Sequence, residues 1–163
     1  MVYEQFIERW QQQLKFNGNN NLAIALIKEQ YTEFELLLNE LICNLISYHD
    51  VARYPEAAYH CFVLGLLASM RTVYDISSNP ESGYGRADII MRSKSPNCPL
   101  SFIIEFKVIK KAEQLEVAID AALQQVEAQA YVSRLTEAGV ELQSIRKLAI
   151  VIQNSNVTVK IAN

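Results

Sequence analysis

The chain has 163 residues, and half of them are hydrophobic, so it can bury the core of one domain and is not a disordered chain. A net charge of −3 at pH 7 argues against a uniformly basic surface that coats nucleic acid. Three scattered cysteines predict reduced thiols in the cytoplasm. The first 20 residues lack the apolar segment of a signal peptide, and the longest apolar run, Cys61 to Met70, is too short to cross a bilayer.

Residues 1–50 are predicted to form helices. Apolar spacing indicates one helix over residues 1–16 and a second over about 22–30. Thr32 and Glu35 have the spacing of a capping box, which predicts the start of a third helix. Apolar residues then recur on a single face of that helix, at Phe34, Leu37, Leu38, Leu41, Ile42 and Leu45.

A nearly continuous apolar segment, Ala57 to Met70, predicts a buried helix with Pro55 as its first residue, and a strand is predicted after it over residues 71–77. Two polar residues lie on this helix. Glu56 fits either a first-turn carboxylate that interacts favourably with the helix dipole or a functional carboxylate. His60 fits either a hydrogen-bonded core histidine or a functional residue.

Two further segments, Gly85 to Met91 and Ser101 to Ile109, are predicted as strands that carry charged residues in apolar surroundings. Side chains alternate along a strand, so Glu105 and Lys107 leave the same face about 6–7 Å apart. A break with two prolines predicts that the two strands pair antiparallel. In such a hairpin Asp88 can stand beside Glu105, which gives two carboxylates and one lysine on one patch. Carboxylate oxygens are the protein ligands that Mg²⁺ takes.

Positive charge is concentrated around this predicted hairpin. Residues 86–111 carry six basic and two acidic side chains, whereas the remainder of the chain carries nine basic and sixteen acidic ones. The six are Arg86, Arg92, Lys94, Lys107, Lys110 and Lys111. The cluster fits phosphate binding, and it equally fits scattered cations that solvate the surface.

A segment without Gly or Pro, Lys111 to Thr136, predicts one long helix that lies across the sheet. Gln125 falls on or beside its apolar stripe. The Gln125 amide is therefore either hydrogen-bonded at a site beneath the helix or partly exposed at the flank of the helix. Gly139 ends the segment, and two strands are predicted to close the chain, over residues 148–153 and 157–161.

The predicted order of elements gives an α/β fold with a mixed sheet. Its first three strands form a meander, and the long helix crosses over to the fourth strand. We expect residues 51–163 to form the core and residues 1–50 to be a helical part packed on it, in one compact domain.

Four motifs in this order resemble the PD-(D/E)XK nuclease superfamily, over roughly residues 20–160. They are Glu56-Ala57-Ala58-Tyr59-His60, Ser78-Asn79-Pro80-Glu81-Ser82-Gly83-Tyr84-Gly85-Arg86-Ala87-Asp88, Ile104-Glu105-Phe106-Lys107, and Ala122-Leu123-Gln124-Gln125 with a later Tyr131. The branch they resemble is a nuclease domain that often follows an AAA-type ATPase domain in bacterial and archaeal proteins. Pro80 departs from the pattern, because the family often has a basic residue there.

The resemblance implies a restriction-endonuclease-like core, in the order helix-strand-strand-strand-helix-strand, that hydrolyses phosphodiester bonds with Mg²⁺ or Mn²⁺. Nucleic acid is the implied partner, DNA more than RNA, and an ATPase or other chain is a further one. The implied metal ligands are Asp88, Glu105 and Glu56, together with the Phe106 carbonyl. Lys107 is implied to orient or deprotonate the attacking water, and Gln125 to orient Lys107 or that water. The implied substrate-binding residues are Arg86, Tyr131, Lys110 and Glu81.

Two other interpretations stay open. The same fold can serve as a non-catalytic module that binds nucleic acid or protein, and the acidic net charge suits such a role. In the second interpretation Asp88, Glu105, Lys107 and Arg86 form structural ion pairs. Buried ion pairs are seldom stabilising enough, however, to explain four charges on one patch.

Overall fold

The computed structural model describes residues 20–46, 55–78, 89–110, 114–128 and 131–162, so the helix predicted over residues 1–16 lies outside the described chain. Its helices are α1 (Asn20–Ile27), α2 (Tyr31–Leu45), α3 (Pro55–Leu67), α4 (Leu115–Ala128) and α5 (Tyr131–Glu137), with 3₁₀ turns at Ala68–Thr72 and Leu142–Ser144. Its strands are β1 (Tyr74–Ser78), β2 (Ile89–Ser93), β3 (Ser101–Ile109), β4 (Ile145–Gln153) and β5 (Asn156–Ile161). None of these helices is long and apolar enough to cross a membrane.

The five strands form one mixed sheet in the order β1-β2-β3-β4-β5. Neighbouring strands are antiparallel except β3 and β4, which run parallel. The connection from β3 to β4 passes through α4 and α5, because parallel neighbours cannot be joined by a tight turn. The predicted α/β fold, with a meander of three strands followed by a helical crossover, is therefore confirmed.

Helices cover both faces of the sheet, so β3 is buried along most of its length. On one face the even-numbered residues of β3, such as Phe106, pack into a core with α1, α2 and α3. On the other face Ile103 and Ile109 pack against α4 and α5. Glu105 and Lys107 lie between these two residues and project from the same face, because side chains alternate along a strand.

The helix predicted over residues 111–136 is wrong, because the structure has two helices there, α4 and α5. Residues 129 and 130, between the two helices, lie outside the described residues. Tyr131 and Leu135 of α5 bury their side chains against Ile103, near the start of β3, in a cluster to which Val126 of α4 also belongs.

Two strand boundaries differ from those predicted. β1 begins at Tyr74, because Ala68–Thr72 forms a 3₁₀ turn that follows α3, and the strand predicted over residues 71–77 therefore starts too early. β4 begins at Ile145 instead of Leu148, since the parallel pairing with β3 extends over the whole of both strands.

The predicted capping box of Thr32 and Glu35 is also wrong. α2 begins at Tyr31 with Gln30 at the N-cap position, and no side chain forms a capping hydrogen bond. The Glu35 carboxylate instead accepts a hydrogen bond from the Val159 N–H of β5, at 2.7 Å. A contact between distant parts of the chain thus takes the side chain that the local pattern assigned to the helix start.

Residues with left-handed backbone conformation end α5 and form the last turn of the chain. Gly139, with φ of 88°, follows α5, in agreement with its predicted role as a helix terminator. Asn154 and Ser155 join β4 to β5, with φ values of 48° and 70°. Positive φ at both central residues is the type I′ geometry that matches the twist of paired strands. Serine adopts this region at a steric cost, so Ser155 makes the turn less stable than glycine would.

We expect the substitution Ser155→Gly to raise the free energy of unfolding by about 0.5–1 kcal/mol, because glycine adopts positive φ without steric cost. Equilibrium unfolding in urea, followed by circular dichroism, measures this change. The matched control is Ser133→Gly on the exposed side of α5, where lower helix propensity predicts a loss of about 0.5 kcal/mol. A loss of stability in both variants would contradict the type I′ assignment.

Candidate active site

Glu105 and Lys107 form an ion pair on β3, on the face that α4 covers. The Lys107 ammonium donates to Glu105 Oε1 at 3.2 Å. The Glu105 side chain is fully buried, whereas 23 % of the Lys107 side chain is exposed. A carboxylate is costly to bury without a counter-charge, so the ammonium is what permits Glu105 to stand inside this strand.

A hydrogen bond from Lys107 to Gln125 connects β3 to α4. The ammonium donates to Gln125 Oε1 at 2.8 Å. Small buried residues of α4, Ala118 and Ala122, bring this helix close to the sheet. Lysine has only donors, so the Gln125 carbonyl must face the ammonium and its NH₂ group must point elsewhere. Of the two alternatives for Gln125, the structure therefore shows the amide hydrogen-bonded beneath the helix.

Two buried polar atoms of this cluster have no hydrogen-bond partner within the described part of the chain. They are Glu105 Oε2 and Gln125 Nε2. A buried polar atom without a partner costs about 1–3 kcal/mol, so each of these atoms calls for an explanation. Glu105 Oε2 is an acceptor that suits a cation, and Gln125 Nε2 is a donor that suits an anionic oxygen. The cluster thus has the chemistry to hold a divalent cation next to a phosphate.

Three predicted site residues, Glu81, Arg86 and Asp88, lie outside the described residues. The described pairing of β2 with β3 begins with Ile89 opposite Ile104. Over the ranges that the structure describes, no group of three His, Cys, Asp or Glu side chains is arranged to hold a metal ion. Of the carboxylates predicted to bind the metal, the described residues place Glu105 beside Lys107.

Glu56 lies in the first turn of α3, a helix that packs on the face of the sheet opposite to Lys107. One of its carboxylate oxygens, Oε1, is buried. α3 packs against the face from which Phe106 projects, and there the His60 ring meets Phe106 edge-on with the ring centroids 5.9 Å apart. Because Glu105 projects from the opposite face, Glu56 can approach it only past an edge or an end of the sheet.

Tyr131 and Lys110, both predicted to bind substrate, have very different surroundings. Tyr131 is 2 % exposed and packs with Ile103 and Val126, which leaves almost none of its surface for a substrate. It lies on α5, whereas Gln125 lies on α4, so these two residues do not share one helix as the sequence predicted. Lys110 directly follows β3 and is exposed.

The basic residues around the hairpin are divided between two ends of the sheet. Arg92 forms a salt bridge with Asp75 of β1, and the Lys94 ammonium lies 3.8 Å from the same carboxylate. These exposed pairs add little stability, but they neutralise both cations. Lys107 and Lys110 lie at the other end of β3, and Lys107 is within hydrogen-bond distance of the Glu105 carboxylate.

Residues 54–161 match a family model described as the PD-(D/E)XK nuclease superfamily. A comparison with curated proteins gave no match. The matched segment contains α3, α4, α5 and all five strands, whereas α1 and α2 precede it. Glu105, Lys107 and Gln125 therefore all lie within the part of the chain that the family model describes.

The pairing of Glu105 with Lys107 can be measured by a double-mutant cycle. Lys107→Met should lower the free energy of unfolding by about 3 kcal/mol, because it leaves the Glu105 carboxylate buried without a counter-charge. Adding Glu105→Gln to that variant should recover part of the loss, since no charge then remains in the strand. Urea unfolding of the wild type, both single variants and the double variant gives the coupling.

The matched control for this cycle is Lys110→Met, which removes an exposed ammonium that follows the same strand. It should change the free energy of unfolding by no more than about 0.5 kcal/mol. Strictly additive losses at Glu105 and Lys107 would show that the two charges do not stabilise each other.

Proposed function

Because the chain belongs to the PD-(D/E)XK nuclease superfamily, we propose that it is a metal-dependent nuclease that hydrolyses phosphodiester bonds in DNA. Its mixed five-stranded sheet with helices on both faces is a restriction-endonuclease-like fold. The observation that carries the proposal is the Lys107 ammonium between Glu105 Oε1 and Gln125 Oε1, with a buried acceptor and a buried donor on the same two side chains. This arrangement supports the binding of a cation and a phosphate at one place.

We assign the metal site to Asp88 and Glu105, with Mg²⁺ or Mn²⁺ as the ion. Ile89 pairs with Ile104, so one further antiparallel pair would set Asp88 opposite Glu105. Ile90 faces α4 and α5, and alternation would give Asp88 the same face. A divalent ion held there supplies Lewis-acid polarisation of the phosphate. Glu56 would join these ligands from the opposite face, past the end of the sheet.

Lys107 would orient the attacking water and offset the negative charge that develops on the phosphate. An ammonium has three N–H donors, and two of them bond to Glu105 and Gln125. The third N–H is left for the water or for a phosphate oxygen, and the exposed part of the side chain gives access to it. Because two hydrogen bonds hold the ammonium in place, little reorganisation is needed as charge develops.

The two polar groups of the Gln125 amide would have separate roles. Its carbonyl oxygen holds Lys107, and its NH₂ group would donate to a phosphate oxygen of the substrate. A neutral donor suits this position, because a second carboxylate there would repel the phosphate.

The remaining predicted residues would act around this centre. Arg86 and the exposed Lys110 would contact phosphates that flank the scissile bond. Glu81 would belong to the groups near the metal. The buried Tyr131 would hold α5 against the sheet and so shape the wall of the site.

A non-catalytic module on the same fold is the second candidate. The observation that favours it is the net charge of −3, which suits a protein partner, since proteins that bind nucleic acid usually present an excess of basic residues. In that case the chain would bind its partner without hydrolysing a phosphodiester bond. Assays that measure binding and cleavage separately distinguish the two candidates.

Purified protein incubated with plasmid or single-stranded DNA should cleave it in Mg²⁺ or Mn²⁺ but not in EDTA. Lys107→Ala should lower the cleavage rate at least about 100-fold, because it removes the group that offsets charge on the phosphate. Asp88→Asn should have an effect of similar size, because it removes a metal ligand. The matched control is Lys28→Ala, an exposed lysine between α1 and α2, which should cleave at the wild-type rate.

Circular dichroism shows whether each variant is folded, and calorimetric titration with MnCl₂ without DNA measures metal binding. Asp88→Asn should lose metal binding, whereas Lys107→Ala should keep it. Cleavage by this chain alone would show that no ATPase or other partner chain is required. If the wild-type protein binds DNA tightly but cleaves none with either ion, the nuclease proposal is wrong and the binding module is favoured.

Two substitutions distinguish the role of the Gln125 carbonyl from the role of its NH₂ group. Gln125→Glu keeps an oxygen beside Lys107 but loses the NH₂ donor, whereas Gln125→Leu loses both. If donation to the phosphate matters, both variants should lower kcat/KM at least about 10-fold. Nearly full activity in Gln125→Glu, with loss in Gln125→Leu, would show that Gln125 acts only by positioning Lys107.

A further inference from the structure

Side chains of α2 cover the outer edge of β5. This strand is the last of the sheet, so its outer backbone groups have no neighbouring strand among the described residues. Glu35 Oε2 accepts a hydrogen bond from the Val159 N–H at 2.7 Å. Asn39 Oδ1 accepts one from the Val157 N–H at 2.9 Å. Side-chain oxygens of a helix thus take the place that the carbonyl groups of another strand would have.

The two amides that α2 binds are those that face away from the sheet. Just after β5, the Ala162 N–H donates to the Lys147 carbonyl of β4 at 2.9 Å. Backbone groups alternate along a strand, so even-numbered residues of β5 bond to β4 and Val157 and Val159 point outward. Outward N–H groups of an edge strand are the template with which another strand pairs.

The contact continues along the helix because helix and strand have similar repeats. The Cys43 thiol donates to the Ser155 carbonyl, with the sulfur 3.6 Å from the oxygen. Glu35, Asn39 and Cys43 are spaced four residues apart, which is about 6.0 Å along a helix. Val159 and Val157 are spaced two residues apart on β5, which is about 6.6–6.8 Å, and Ser155 lies in the turn just before the strand. We name these three α2 residues the edge row.

We propose that the edge row guards a latent pairing interface, and that without it β5 would pair antiparallel with β5 of a second copy of this chain. Two identical antiparallel strands are related by a two-fold axis, so one edge is complementary to itself. β5 is rich in β-branched residues, which favours such pairing. α2 lies outside the segment that the family model matches, and the proposal does not depend on the nuclease chemistry.

The first part of the test measures amide hydrogen exchange by NMR in the full chain. Glu35→Ala should speed exchange of the Val159 amide about 10-fold and leave the Val157 amide unchanged, whereas Asn39→Ala should do the reverse. Glu35→Gln is the matched control, because it keeps an oxygen acceptor and should keep the Val159 amide protected. Unchanged exchange in both alanine variants would overturn the proposal.

The second part measures association of the variant that carries both Glu35→Ala and Asn39→Ala. Sedimentation velocity should show a monomer that converts to a dimer as the protein concentration rises, whereas the wild type and Glu35→Gln remain monomeric. In the dimer, the Val157 and Val159 amides should become protected again, because a second strand then pairs with them. Association without this renewed protection, or a double variant that stays monomeric up to its solubility limit, would overturn the proposal. If the double variant does not fold, the single alanine variants take its place in this measurement.

Discussion

The Lys107 ammonium stabilises the packing of α4 on the central strand β3. It gives the buried Glu105 carboxylate a counter-charge within β3, and it binds the Gln125 carbonyl of α4. One cation therefore neutralises the buried charge of the central strand and also helps to hold α4 above it. An apolar residue in its place would leave a carboxylate under α4 with neither water nor a positive partner.

β3 carries the core and the candidate site at once, because its two faces are used differently. Phe106 and its even-numbered neighbours pack into the larger core with α1, α2 and α3. Glu105 and Lys107 project from the other face, between apolar residues that hold α4 and α5 in place. The described site residues thus belong to the strand that supports both cores. Glu105 Oε2 and Gln125 Nε2, which have no hydrogen-bond partner among the described residues, lower the stability of the fold, and their chemistry suits a ligand.

The sequence predicts those features that follow from short-range periodicity. Alternation along β3 predicts the shared face of Glu105 and Lys107, and the order of apolar segments predicts the meander and the crossover. It does not predict that α4 and α5 are separate helices, because no Gly or Pro between residues 111 and 136 marks the end of one helix and the start of the next. Nor does it predict the role of Glu35. The spacing of Thr32 and Glu35 is the same whether Glu35 completes a capping box or binds β5, so the sequence pattern cannot distinguish the two. The hydrogen bond between Gln125 and Lys107 depends on the distance between α4 and β3, which only the tertiary structure gives.

The geometry of the edge row also determines how much of the β5 edge one helix can cover. Each step along the row advances about 0.6–0.8 Å further on the strand than on the helix, and it turns about 40° around the helix axis. The glutamate and the asparagine of the row reach two outward N–H groups of β5, and the cysteine reaches the Ser155 carbonyl in the turn before the strand. Because the two repeats differ, a straight helix and a strand stay in step only over a few contacts. A longer last strand would therefore need a second covering element.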